Sequence, residues 1–433
     1  MISKIKKLTQ SKFVRNVAIV ATGTAGAQVI TMAFAPIITR MYGPEAFGLL
    51  GTFMAILAIA TPIAALTYPI AIVLPKSDQD ALGIAKLSAI LAFVMAALLG
   101  VTIVIFGADL AVWLSLEDIA GFLLLIPAAM LFAAFYQILQ QWLIRKKQFK
   151  ITARVAVIQA LTLNSAKVGI GWFNPVGAVL IILATVGNAL HALLLWLGLR
   201  KQSNVLTSKI EDKKPINIKE LALKHKDFPL FRAPEVAING LSQNLPVLML
   251  ASFFGPAAAG FYTLGKTVMG IPSTLIGKSV GDVFYPRITE AAHNKENLFR
   301  LLLKATLALA VVGFIPFTIV IIFGPWLFSF VFGSEWFIAG EYARWLALWM
   351  YFMFMNSPCN KAIPLLNIQG LYLIYSIFTI TIRVGALAIG YFLFSSDVVA
   401  VALFGISGAL LNILIIGCVL FLAKKYDKGY LNG

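Results

Sequence analysis

The sequence predicts an all-α polytopic membrane protein in which about twelve transmembrane helices form two six-helix lobes. The composition is 60% hydrophobic and only 12% charged, long apolar runs follow one another along the chain, and one turn motif occurs twice. Soluble domains carry about 25% charged residues, and the mean hydropathy here is +0.90. The chain is therefore expected to lie in a lipid bilayer.

The apolar runs give the expected spans, because a helix needs about 20 apolar residues to cross a bilayer. Membrane β-strands are shorter, about ten residues, and alternate apolar with polar positions. The predicted spans are 15–39, 47–74, 82–107, 119–144, 152–172, 176–199, 231–254, 258–285, 299–323, 338–364, 371–394 and 398–423.

A repeated turn indicates an internal duplication. A Gly-Pro pair precedes spans two and eight, and each span ends in proline followed by a basic residue. Pro44 lies 31 residues before Pro75, and Pro256 lies 30 residues before Pro286. Parallel repeats of this kind are typical of transporters, with the substrate site at the repeat interface. The predicted N-terminal lobe, basic linker and C-terminal lobe are residues 1–200, 201–229 and 230–433.

The positive charge is distributed asymmetrically. The chain has 35 Lys and Arg against 18 Asp and Glu, a formal net charge of +17. The basic residues precede span one, separate spans four and five, and fill the linker, whereas the opposite loops are short and mainly acidic. The positive-inside rule then places both termini in the cytoplasm. This charge sets orientation and contacts lipid headgroups, so nucleic acid is not an expected partner.

Three cations fall inside predicted spans: Lys167 in span five, Lys266 in span eight and Arg383 near the middle of span eleven. A charged side chain near the bilayer centre costs about 2.5–3.5 kcal/mol or more, so such residues usually line a polar cavity or pathway. A cationic cavity favours an anionic passenger, such as a phosphate, a pyrophosphate or an acidic sugar.

Span seven carries the most polar helical stripe. Arg232, Glu235, Asn239 and Gln243 recur at helical spacing, and such a stripe cannot face lipid. Asn239 and Gln243 are the deeper pair, and their amides can bond sugar hydroxyls. Arg232 and Glu235 either pair with each other at the cytoplasmic end or take part in gating and ion coupling.

Spans one and eight add further candidates. Gln28 lies among small residues in span one, on a face that serves either helix packing or a cavity. We assign Gln28 to sugar contact. Lys278 and Asp282 are four residues apart in span eight, where they are expected to neutralise each other. We assign this pair to gating or coupling.

Four tryptophans in the C-terminal half are expected at the membrane interfaces, where amphipathic rings are enriched. They are Trp326, Trp336, Trp345 and Trp349.

The sequence lacks a catalytic constellation. It has two Cys and three His without metal-ligand spacing, and no phosphate-binding glycine loop. No loop is long enough for an ATPase or glycosyltransferase domain. A transporter without cofactor or metal is therefore predicted, and coupling to H+ or Na+ through Glu235 or Asp282 stays open.

The sequence also resembles a known family. Residues 228–287 begin FPLFRAPEVAINGLSQNLPV and end STLIGKSVGDVFYPR, and ITRMYGPEAFGLLGTF covers the turn that leads into span two. Both stretches are similar to Wzx-type oligosaccharide flippases of the multidrug/oligosaccharidyl-lipid/polysaccharide exporter superfamily. The resemblance implies two lobes arranged as a V around a cationic cavity, in the bacterial inner membrane. It implies alternating access for a short oligosaccharide on undecaprenyl pyrophosphate, with a polysaccharide polymerase and a chain-length regulator as partners.

Two other functions remain open from the residues. A multidrug or cation antiporter of the same superfamily would require acids in the lobe interiors, but the deep charges here are mostly cations. A polysaccharide polymerase or ligase would be expected to carry a large periplasmic loop with basic residues, whereas the outer loops here are short and acidic.

Overall fold

The computed structural model describes residues 12–201, 217–272, 284, 287–292, 294, 296–366 and 368–431. Within these ranges the chain consists of α-helices joined by turns and short 3-10 segments, without a β-strand. The predicted all-α class is confirmed. Contacts between helices divide the chain into two compact units, Met1–Ser252 and Phe253–Gly433.

The first unit is built from long apolar helices and one short amphipathic helix, α6. The 3-10 helices Tyr68–Val73 and Glu117–Phe122 join neighbouring elements, and one π-helical turn, Phe228–Arg232, leads into α7. The α-helices are α1 Lys12–Ala64, α2 Asp78–Trp113, α3 Leu125–Arg145, α4 Phe149–Gly171, α5 Gly177–Arg200, α6 Ile218–Lys224 and α7 Ala233–Phe254.

The second unit continues the same architecture. A 3-10 turn, Ser334–Trp336, joins its longest hairpin. The described α-helices are α8 Pro256–Pro272, α9 Leu298–Phe332, α10 Phe337–Met355, α11 Ser357–Ala362, α12 Gln369–Phe392 and α13 Asp397–Leu431.

Seven helices in the described ranges are long and apolar enough to cross a membrane. They are α1, α2, α5, α7 with its preceding turn, α9, α12 and α13. One of them, α1, covers predicted span one and most of span two, and α3, α4, α8 and α10 overlap four more. The structure is thus consistent with the predicted twelve spans, although span 258–285 is described only to residue 272.

Both Gly-Pro turns of the predicted duplication adopt the same unusual backbone conformation. Gly43 has φ 69° and breaks α1 into two helical segments, and Gly255 has φ 86° between α7 and α8. Positive φ is accessible to glycine without a steric penalty. The proline that follows each glycine disfavours the α conformation in the residue before it, so each pair ends one helix and starts the next.

The predicted boundary between the lobes differs from the boundary between the two compact units. The duplication makes α7 the first span of the second lobe, 230–433, whereas the contacts place nearly all of α7 in the first unit. Gly240 of α7 lies against α1, where an added Cβ would be 3.1 Å from the Ala58 carbonyl oxygen. Contacts report packing and a duplication reports ancestry, so the boundaries at 200 and 230 stay a prediction.

Small residues of span one pack against α4. A Cβ on Gly23 would lie 2.6 Å from the Ala153 Cα, so the two helices touch through their backbones. Further along, Asn164 Nδ2 donates to Thr31 Oγ1 at 3.3 Å and to the Ala160 carbonyl at 2.7 Å. Close approach of small residues and hydrogen bonds between helices replace the hydrophobic drive that lipid removes. This part of span one therefore serves packing.

Arg145 organises the connection between α1 and α2. Its Nε donates to Asp78 Oδ1 at 3.0 Å, and its Nη1 donates to the carbonyls of Ile72 and Pro75 at 3.2 and 2.6 Å. Lys146 also forms an ion pair with Asp78. The charge distribution explained Arg145 only by membrane orientation. In the structure this arginine also binds the carbonyl oxygens of a loop.

The last helix anchors the start of α9. The Asp427 carboxylate accepts hydrogen bonds from the backbone N–H groups of Leu298 and Phe299 at 3.0 and 2.9 Å. Asn297 adds a side-chain cap, accepting from the Arg300 N–H at 2.7 Å. The first N–H groups of a helix have no partner within the helix, and negative charge is favourable there. Asp427 is buried, so its charge is used for structure.

We expect Gly23→Ala to lower the free energy of unfolding by about 1–3 kcal/mol, because the new Cβ would overlap Ala153. Gly169→Ala is the matched control, since nothing lies within 4 Å of its added Cβ. The control is expected to be neutral or slightly stabilising through helix propensity. Denaturant unfolding of both purified variants in detergent measures the difference, and equal stabilities would contradict this packing.

Candidate functional site

The predicted polar stripe of α7 begins with an ion pair. The Arg232 Nη1 contacts both carboxylate oxygens of Glu235, at 2.9 and 2.8 Å, and both side chains are exposed. The pairing alternative is therefore what the structure shows. A role of this pair in gating or coupling stays a prediction, because an exposed pair contributes little to stability and implies no function by itself.

The deeper amides of α7 point outward from the first unit. Asn239 and Gln243 are exposed, whereas the neighbouring Asn244 is half-buried and donates to the Gly240 carbonyl at 2.8 Å. Gln28 is half-buried in α1. Sugar contact stays a prediction for Asn239, Gln243 and Gln28.

The predicted cations fall in both units. Lys167 is half-buried near the end of α4, where its backbone carbonyl accepts a hydrogen bond from the Tyr42 hydroxyl at 2.7 Å. Lys266 and Arg383 are half-buried in the second unit, on α8 and α12. They lie close enough to repel each other electrostatically. Lys278 and Asp282 lie outside the described residues.

Arg383 lies in a corner made by two aromatic rings, Trp349 of α10 and Phe404 of α13. Its guanidinium carbon is 3.8 Å from the Trp349 ring centroid and 3.9 Å from that of Phe404. The two rings meet edge to face, with centroids 5.4 Å apart and planes at 79°. We call these two residues the aromatic corner. Rings attract a cation without neutralising its charge.

One edge of the Arg383 guanidinium has no hydrogen-bond acceptor in the described structure. Its Nε and Nη2 atoms are both buried and have no partner there. Arg383 also forms no ion pair with a described carboxylate, in contrast to Arg344, which contacts Glu341 at 3.2 Å. A buried donor without an acceptor is costly and points to a missing partner.

The sequence singled out Arg383 as a cation inside span eleven but did not predict its aromatic neighbours. Trp349 and Trp336, which were expected at a membrane interface, are only 7% and 0% exposed, so both pack inside the protein. Trp326 is 61% exposed and stacks on Phe330, as an interfacial residue does. An arginine deep in a span that contains no acid was the signal that could have indicated a buried aromatic partner such as Trp349.

A second buried polar contact crosses the second unit. Asn356 Nδ2 donates to Asn412 Oδ1 at 3.1 Å, and Asn412 Nδ2 donates to the Gly408 carbonyl at 2.8 Å. Among the described residues no cluster of three His, Cys, Asp or Glu side chains could hold a metal ion.

The fold is similar to solved transporters. A multidrug resistance transporter of the MATE family, in its inward-facing conformation, aligns with a TM-score of 0.70 at 15% identity, over 92% of this chain and 96% of that one. The lipid II flippase MurJ, in an inward closed conformation, aligns with a TM-score of 0.68 at 14% identity, over 95% and 90%. The fold class is that of multi-pass membrane transporters.

Residues 37–339 match the family described as polysaccharide biosynthesis protein, and the chain belongs to that family. The succinoglycan biosynthesis transport protein ExoT of Rhizobium meliloti (strain 1021) is 24% identical over 364 residues, which cover 81% of this chain and 67% of that protein. These findings confirm the resemblance to polysaccharide exporters and the prediction of a transporter rather than an enzyme.

Proposed function

We propose that this protein is a flippase for oligosaccharide repeat units linked to undecaprenyl pyrophosphate. It moves them from the cytoplasmic to the periplasmic leaflet for the biosynthesis of a cell-surface polysaccharide, such as an O-antigen, a capsule or an exopolysaccharide. The observation that carries the proposal is the cationic pair Lys266 and Arg383 within the second unit of a polysaccharide-family transporter fold.

The passenger's chemistry explains why such a site is needed. A glycan and a pyrophosphate cannot cross hydrocarbon unaided, because their polar groups would lose water without replacement. Arginine and lysine can replace water around phosphoryl oxygens. We assign Lys266, Arg383 and Lys167 to the anionic headgroup, and Asn239, Gln243 and Gln28 to the sugars.

The antiporter alternative shares the fold, as the likeness to the MATE transporter indicates. Charge distinguishes the two functions, because an antiporter for cationic drugs requires acids that are free to bind them. In the part of the chain that the structure describes, Glu235 and Glu341 are each paired with an arginine three residues away. Arg383 has no such carboxylate partner there. This balance favours an anionic passenger.

Transport is proposed to proceed by alternating access, in which the cavity opens first to the cytoplasm and then to the periplasm. The groups assigned to gating or ion coupling are Arg232, Glu235, Lys278 and Asp282. The coupling ion would be H+ or Na+, and no cofactor is required. A polysaccharide polymerase that joins the translocated units and a chain-length regulator are the proposed partners.

We propose that this multi-pass protein lies in the bacterial inner membrane with both termini in the cytoplasm, because its basic loops follow the positive-inside rule. Fusions at the C-terminus test this orientation. A green fluorescent protein fusion is expected to fluoresce and an alkaline phosphatase fusion to be inactive. The opposite pair of results would reverse the proposed topology.

Deletion of the gene is expected to leave lipid-linked repeat units on the cytoplasmic leaflet, because synthesis continues without translocation. Mass spectrometry of the extracted lipids should show a single repeat unit on undecaprenyl pyrophosphate, at several times its wild-type amount. If the lipid-linked units do not accumulate while surface polysaccharide is lost, the protein acts at another step.

Lys266→Ala and Arg383→Ala are each expected to reduce polysaccharide export about tenfold or more at equal expression. Each removes a charged contact to the headgroup, and tenfold corresponds to about 1.4 kcal/mol. Lys304→Ala is the matched control, because Lys304 is an exposed lysine of the same unit. Wild-type export by both variants would remove these residues from the mechanism.

A further inference from the structure

The aromatic corner holds a cation in a way that leaves its hydrogen-bond donors unused. An arginine bound to a carboxylate has its charge compensated and its N–H groups satisfied at once. Trp349 and Phe404 attract the Arg383 guanidinium through their ring electrons, yet they offer no lone pair. The rings also fix the orientation of the planar group. The result is an arginine that is positioned and still chemically available.

The two unsatisfied donors are those of one guanidinium edge. Nε–H and one N–H of Nη2 point in the same direction, so together they match two oxygens of a single oxyanion. Both atoms are closed to water in this structure. An oxyanion can therefore reach them only after the helices around Arg383 move apart, and its arrival satisfies two donors that are otherwise buried without acceptors.

Four described carboxylates of the second unit are engaged elsewhere. Asp397 accepts a hydrogen bond from the Tyr342 hydroxyl at 2.7 Å, and Asp427 caps α9. The remaining ion-paired carboxylates are those of Glu296, bound to Arg287, and Glu341, bound to Arg344. No described carboxylate forms an ion pair with Arg383, so its Nε and Nη2 groups can take an oxyanion from a ligand.

The neighbouring lysine indicates which oxyanion fits. Lys266 adds a second positive charge close to Arg383, and together the two cations attract an anion of more than one charge. A carboxylate carries one negative charge, whereas a pyrophosphate carries more and has further oxygens. An arginine fork beside a lysine point charge therefore suits a phosphoryl group best.

We propose that Trp349 and Phe404 are positioning residues for substrate binding. They hold the Arg383 guanidinium so that its Nε and Nη2 edge, together with Lys266, receives the phosphoryl oxygens of the passenger's headgroup. This inference rests on the proposed flippase function and adds the device that orients the arginine. It also makes phosphoryl binding dependent on a local opening of α10, α12 and α13.

The test measures binding of inorganic pyrophosphate to the purified full chain in detergent, by calorimetry and by tryptophan emission. We expect Arg383→Lys to weaken binding about tenfold or more, since a lysine lacks the fork. Trp349→Leu and Phe404→Leu should weaken it about fivefold, as they remove the rings and keep the charge. Trp349→Phe keeps a ring and should bind nearly as the wild type does.

Trp326→Leu is the matched control, because Trp326 is an exposed tryptophan of the same unit, stacked on Phe330. It should bind pyrophosphate as the wild type does. The emission change on binding should vanish in Trp349→Phe and persist in Trp326→Leu, a signature that a purely structural role of Trp349 would not produce. Binding at wild-type affinity by Arg383→Lys, or by both leucine variants of the aromatic corner, would overturn the proposal.

Two further arms identify the ligand. Binding of undecaprenyl pyrophosphate and of undecaprenol, measured beside that of free pyrophosphate, distinguishes a lipid headgroup from the free anion. Undecaprenyl pyrophosphate should bind more tightly than undecaprenol and more tightly than free pyrophosphate. Preference for acetate or glucuronate over pyrophosphate would overturn the phosphoryl assignment. If Trp349→Leu and Phe404→Leu both bind pyrophosphate with wild-type affinity while lipid-linked units still accumulate in the deletion strain, only the positioning role is rejected. Absence of accumulation would reject the flippase function, whatever the binding result.

Discussion

A charge inside a bilayer must be neutralised, hydrated or carried to the surface, and this constraint governs how the few ionisable residues of this chain are used. Three described acids of the second unit lie at structural positions. Asp427 caps one helix, Asp397 binds the Tyr342 hydroxyl, and Glu341 pairs with Arg344. Arg383 instead lies against two aromatic rings, and its Nε and Nη2 groups have no acceptor in the part of the chain that the structure describes.

The same constraint explains how the helices hold together. Lipid tails are as apolar as leucine, so helices associate through close backbone contact and polar bonds rather than through hydrophobic burial. Gly23 against Ala153, and Asn164 with Thr31, are examples in the first unit. At the bilayer edge Arg145 binds a loop through its carbonyl oxygens.

Features that depend on local backbone chemistry could be predicted from the sequence. The helical spans follow from apolar length, and the turns at Gly43 and Gly255 follow from glycine placed before proline. The partners of Arg383 could not be predicted in this way, because a tryptophan in an apolar helix is equally typical of a membrane interface and of a buried contact. Only the folded structure shows that Trp349 faces the arginine.

For a similar reason, the sequence did not decide whether Arg232 and Glu235 pair with each other. Arg232 and Glu235 are three residues apart, a spacing that fits an ion pair and a cavity stripe equally well, and the structure shows the pair. The duplication in the sequence and the division of the structure by contacts likewise describe different properties, ancestry and packing. By the duplication, α7 belongs to the second lobe. By the contacts, nearly all of it belongs to the first unit.

The most direct test of the central claim is a transfer assay in proteoliposomes that hold the purified protein. The same fluorescent oligosaccharide is attached to undecaprenol either through pyrophosphate or through a neutral ether, and a membrane-impermeant quencher reports its movement between leaflets. Recognition of the anionic headgroup by the buried cations predicts that the pyrophosphate form moves at least about tenfold faster. The ether form should move no faster than in protein-free vesicles. Equal protein-dependent rates for both forms would contradict the account.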